Sequence, residues 1–68
     1  MNLEKTRNIA LKLMRQHGLV GYTFKWDRAV KRFGSCNGRT KTLTLSRPMT
    51  QHESNDDRVI NTILHEIA

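Results

Sequence analysis

Val59-Ile60-Asn61-Thr62-Ile63-Leu64-His65-Glu66-Ile67-Ala68 is an apolar run that ends on a His-Glu pair. At about 100° per residue, Val59, Ile60, Ile63, Leu64 and Ile67 share one broad helical face, and His65 points away from it. Such a helix packs its apolar side on the body of a domain and turns its other side to a cleft. A histidine four residues after His65 would complete H-E-x-x-H, in which two imidazoles one turn apart hold zinc and the glutamate serves as general base. That place falls just after Ala68, so the stretch carries the first half of the pattern. The plainer reading is two solvated residues in a last helical turn, where a cationic histidine suits the helix dipole.

Upstream, Ser54-Asn55-Asp56-Asp57 offers a cap followed by acids, favourable at the positive end of a helix. Met49 to Asn55, which includes His52, reads as a polar loop, and Arg47-Pro48 closes whatever strand precedes it, because proline donates nothing to a ladder. That strand is Arg39 to Ser46, whose alternation and threonine content place Leu43 and Leu45 inward. Asn37-Gly38 signals a two-residue hairpin turn to Phe33-Gly34-Ser35-Cys36. Such a turn pairs Cys36 with Arg39 and Gly34 with Lys41, and sets Val30 opposite Leu45. Asp27 to Phe33 is ambiguous between helix and strand.

Tyr22-Thr23-Phe24-Lys25-Trp26 alternates aromatic with polar, as a half-buried strand does, and its rings are more simply core than a platform for bases. Leu3 to His17 reads as an amphipathic helix capped by Asn2 and stopped by Gly18, with Leu3, Ala10, Leu13 and Met14 inward, Leu11 exposed and His17 a capping or packing residue. The fold class is therefore α+β: an N-terminal helix, a small three-stranded, mainly antiparallel sheet with an Asn-Gly hairpin, and a C-terminal helix carrying the partial zinc motif, an incomplete zincin-like arrangement.

At 68 residues, 1–68 is a single domain with a thin core. Cys36 is the only cysteine, which fits a reducing, cytoplasmic setting and a small half-buried sheet residue better than a disulfide scaffold. No apolar run has the length of a membrane span. Twelve Lys and Arg against six Asp and Glu leave a net charge of +6, which points to DNA or another polyanion as partner. The charge is concentrated in Lys25, Arg28, Lys31, Arg32, Arg39, Lys41 and Arg47, a set able to follow a phosphate backbone without reading bases; an ordinary solvated face is the bland alternative. Catalytic zinc needs three protein ligands, and His17, His52 and Cys36 lie scattered without ligand spacing. One imidazole does not hold it.

The order of an amphipathic helix, Phe24-Lys25-Trp26-Asp27, Arg32-Phe33-Gly34-Ser35-Cys36, Thr42-Leu43-Thr44-Leu45-Ser46 and Thr62-Ile63-Leu64-His65-Glu66-Ile67-Ala68 resembles the SprT-like domain family. The resemblance covers nearly the whole chain. It implies a zinc metalloprotease domain, often DNA-associated, with His65 as first zinc ligand and Glu66 as catalytic base. The second histidine and a third ligand would follow Ala68, so these residues alone are expected to be inactive and to hold no zinc stably. The sequence is expected to be the N-terminal part of such a domain. The alternative is a natural small non-enzymatic protein, for example an inhibitor from a mobile element, that binds nucleic acid or an acidic protein. Ile63, Leu64 and Ile67 are expected to leave an apolar patch that invites self-association or a protein partner.

Overall fold

A computed structural model describes residues 2–67, so Ala68 lies outside the described residues. The first helix, α1, is Leu3–Gln16, and Asn2 caps it by accepting from the Lys5 N–H through Oδ1 at 3.1 Å. Its other end closes in a Schellman arrangement: Gly18 N donates to Arg15 O at 3.2 Å and Leu19 N to Met14 O at 2.8 Å. Gly18 makes this possible by adopting φ +76, and His17 is the exposed C-cap residue rather than a packed one. Leu19 then turns back toward the core.

Three strands follow: β1 at Thr23–Asp27, β2 at Gly34–Asn37 and β3 at Thr42–Ser46. They lie in the order β1-β3-β2, so β3 is central. The sheet is mixed rather than mainly antiparallel, because β1 pairs with β3 in parallel and only β2 pairs with it in the opposite sense. The irregular stretch 28–33 carries the chain across the end of β3 from one edge to the other, which is how β1 and β3 come to run the same way.

The hairpin register also differs from the two-residue turn that Asn37-Gly38 suggests. Asn37 pairs with Thr42, Cys36 with Leu43 and Gly34 with Leu45, leaving residues 38–41 as the loop. Its cause is the Asn37 side chain: Oδ1 accepts from Arg39 N at 2.9 Å and Thr40 N at 3.2 Å, so the amide bends the chain as an Asx turn. The left-handed residue that closes the loop is Lys41, with φ 54. Gly34, not Val30, faces Leu45, and Val30 is exposed. The slip amounts to an even number of residues, so the assignment of inner and outer faces survives it.

A short helix, α2 at Arg47–His52, replaces part of the polar loop read from Met49 to Asn55. Ser46 caps it, accepting from Met49 N at 3.2 Å, while Pro48 sits in the first turn where its missing N–H costs nothing. The same hydroxyl donates to Ala29 O, tying the 28–33 connection to the end of β3. Ser46 is fully buried. Ser46→Ala therefore removes a cap and strands a carbonyl, and is expected to cost about 1–3 kcal/mol in urea denaturation.

The last helix, α3, is Asp56–Ile67, with the Asn55 side chain accepting from Asp57 N at 3.0 Å. The core is Ala10 and Met14 of α1, Leu43 and Leu45 of β3, and Val59 and Ile63 of α3, each 3% exposed or less. Tyr22, Phe24, Trp26 and Cys36 pack against it, and so does Leu11, which is half-buried rather than exposed. Ile63 is buried and Leu64 and Ile67 are half-buried; among the described residues the exposed large hydrophobics are Val20 and Val30. Helices thus cover one face of the sheet only. Among the described residues no helix is long and apolar enough to cross a membrane.

Candidate active-site helix and basic sheet face

Helix α3 places its two motif residues differently. His65 is exposed, on the side of the helix that also carries Arg58, Asn61 and Thr62, which line a shallow open depression with it. Glu66 lies about 100° further round, within about 20° of Val59, and so falls on the margin of the packed side. It is half-buried. Its neighbour there is the start of β2, where a Cβ added to Gly34 would stand 3.6 Å from Glu66 Cγ. The helical arithmetic that turns His65 outward contains this placement too, but the presence of Gly34 beneath the carboxylate follows only from the β2 pairing.

Gly34 is buried and has no room for a side chain. A Cβ would meet Leu45 Cδ2 at 2.8 Å and the Thr44 carbonyl oxygen at 3.0 Å. Its bareness lets α3 come down on the edge strand, with Glu66 at the seam between helix and sheet and His65 on the exposed side of the helix.

The donor set on this helix does not by itself suit catalytic zinc, which takes three protein ligands. Among the described residues no three His, Cys, Asp or Glu side chains converge. His17, at the end of α1, and His52, at the end of α2, are both exposed, and Cys36 is a half-buried residue of β2.

The basic residues fall into an order that the linear sequence does not display. Residues 23–47 hold seven bases (Lys25, Arg28, Lys31, Arg32, Arg39, Lys41 and Arg47) and one acid, Asp27. The rest of the chain holds five bases and five acids, so the whole net charge of +6 lies within residues 23–47, the sheet, its connections and the first residue of α2. Asp27 is itself occupied: Oδ2 pairs with Arg32 Nη2 at 3.2 Å and Oδ1 accepts from Ala29 N at 3.1 Å. All seven bases are exposed.

The register shows where they stand. Phe24, Trp26, Leu43, Leu45 and Cys36 occupy the covered face, so Thr23, Lys25, Asp27, Thr42, Thr44, Ser35 and Asn37 occupy the other. Lys25, Thr44 and Ser35 form one row across the three strands, and Thr23, Thr42 and Asn37 the next. Arg28, Lys31 and Arg32 lie in the connection at one end of the sheet, and Arg39 and Lys41 in the loop at the other. Arg47 opens α2.

The scaffold is thus a two-layer α+β unit with a His-Glu helix on one side and, on the other, a polar sheet face bracketed by basic connections. A model of the SprT-like family matches residues 3–68, nearly the full sequence, and the chain belongs to that family. No curated protein and no solved structure matches it.

Proposed function

We propose that these residues are the N-terminal part of a SprT-like, DNA-associated zinc metalloprotease domain. In it His65 is the first zinc ligand and Glu66 the general base, with the remaining ligands supplied from outside residues 1–68. The observation that carries the reading is the seating of α3: its apolar side is buried, His65 is exposed, and Glu66 sits half-buried against Gly34. Bound zinc would supply an activated water to such a site. With one imidazole and no converging third donor, no hydrolytic step is assigned to these residues alone. The half-covered Leu64 and Ile67 are where the remainder of such a domain, or a protein partner, would seat.

The confinement of the net charge to residues 23–47 also favours a second reading, a non-enzymatic basic protein that binds nucleic acid or an acidic partner. One experiment separates the two. The chain is joined to the ligand-bearing remainder of a SprT-like domain, and zinc content and protein cleavage are measured. The expected result is one zinc per chain, lost in His65→Ala, and cleavage reduced by about 10² or more in Glu66→Gln with the zinc retained. Zinc that survives His65→Ala overturns the assignment and leaves the binding protein.

A further inference from the structure

We infer that the helix-free face of the sheet is a docking surface for the backbone of duplex DNA, centred on Lys25 and the hydroxyl rows around it. The inference rests on the nucleic-acid part of the reading above and adds the face, the mode and the form of the ligand.

Charge gives the first argument. The sheet and the two connections at its ends, residues 23–46, hold six bases and one acid, which is +5 of the chain's net +6. Lys25 stands within the bare face, on an edge strand. The connection bearing Arg28, Lys31 and Arg32 and the loop bearing Arg39 and Lys41 bracket that face at opposite ends of β3. Five residues of β3 separate them, a span of roughly 13 Å at about 3.3 Å per step. The segment's only acid, Asp27, stands on the same face as Lys25 at the end of β1 and is paired with Arg32 at 3.2 Å, and residues 23–47 still carry six more bases than acids.

Side-chain chemistry gives the second. Between the basic ends the face offers Thr23, Thr42, Thr44, Ser35 and Asn37, short polar groups that allow close approach and donate hydrogen bonds to phosphate oxygens. It offers no aromatic ring. Phe24 and Trp26 lie on the covered side, their rings edge to face at a centroid distance of 5.0 Å. Proteins that hold single strands draw about 1–3 kcal/mol per base from stacking on such rings, and this face has no means of doing so. A duplex keeps its bases stacked internally and presents only phosphate and sugar, which is what hydroxyls and cations recognise. Binding is therefore to the duplex and indifferent to its sequence.

The test uses the chain itself with fluorescein-labelled DNA. Two 20-base-pair duplexes of unrelated sequence, one of their single strands and an RNA duplex are titrated at several salt concentrations by anisotropy. The wild type is expected to bind both DNA duplexes equally and the other probes more weakly, with log affinity falling on log salt at a slope of roughly −3 to −5 for a few neutralised phosphates. Lys25→Gln is expected to weaken both duplexes alike and flatten that slope by about 1. Thr44→Glu, which sets a negative charge at the centre, is expected to lower affinity at least tenfold. The pair Lys12→Gln and Arg15→Gln, on α1, serves as the control and is expected to leave binding unchanged. Circular dichroism checks folding, and Lys25→Gln, at an exposed position, decides the matter should Thr44→Glu unfold.

Duplex binding that Lys25→Gln leaves intact and the α1 pair abolishes overturns this surface while nucleic-acid binding stands. Tighter binding of the single strand or of the RNA duplex overturns the assigned ligand. No binding of any probe at low salt removes the surface and the nucleic-acid reading together.

Discussion

Gly34→Val is expected to leave most of the protein unfolded at 25 °C. The first added carbon alone would stand 2.8 Å from Leu45 Cδ2 and 3.0 Å from the Thr44 carbonyl oxygen. Leu45 can rotate a methyl away, but the carbonyl belongs to the central strand and cannot give without breaking the ladder. The two γ-methyls of valine then press toward α3, where Glu66 Cγ already lies 3.6 Å from the Cβ position. Overpacking of this kind costs about 1–3 kcal/mol per site, and more where backbone must move. A domain of this size has only about 3–5 kcal/mol to lose. Urea unfolding followed through Trp26, the one tryptophan, measures the outcome. A midpoint within experimental error of the wild type would mean that α3 does not rest on β2, and the proposed seating of Glu66 would fall with it.

The second large effect is expected from Leu45→Ala. Leu45 is 0% exposed, one residue from the end of the middle strand, and faces Trp26 on one neighbour and Gly34 on the other. Truncating a buried leucine costs about 2–5 kcal/mol, the upper part of that range where the surroundings cannot collapse. Here the cavity opens beside Gly34, whose missing side chain contributes nothing to fill it. The two positions are therefore coupled. Gly34→Ala on the Leu45→Ala background is expected to cost about 1 kcal/mol less than on the wild type, since the carbon that clashed with Cδ2 enters space that Cδ2 has vacated. A double-mutant cycle in sucrose, which raises the stability of all four proteins, gives the coupling. Strict additivity would show that the close approach to Leu45 is not what forbids a side chain at Gly34.

Much of this arrangement is written locally and was legible in the sequence. The Asn2 cap, the Gly18 stop and the inward Ala10 and Met14 follow from helical periodicity and end chemistry, and the Leu43 and Leu45 alternation follows from the pleat. α2 was missed because six residues are too few for a periodic signal, although Ser46 before Pro48 is a readable helix start. The hairpin register turned on which part of Asn37 makes the turn, backbone or side chain, and the dipeptide alone does not say. Parallel pairing of β1 with β3 was out of reach for a different reason. It depends on how a structureless connection is laid across the end of a strand, and the bond that fixes it, from Ser46 to Ala29, joins residues 17 apart.

The candidate sites divide the same way. His65 and Glu66 stand out as letters, and the helix angle turns one outward and the other toward the sheet. What the angle cannot give is the glycine that Glu66 rests against. The seven basic residues could be counted in the sequence but not arranged, because Lys25 joins the others only through the strand order.

That strand order also governs how the chain assembles. β2 meets β3 across a loop of four residues, 38–41, whereas β1 has no other partner and must await a strand that starts at Thr42. During synthesis the rings of Phe24 and Trp26 leave the ribosome well before the backbone that will shelter them. The hairpin can close on local contacts alone, whereas Phe24 and Trp26 stay uncovered by β3 until the next twenty or so residues have been added.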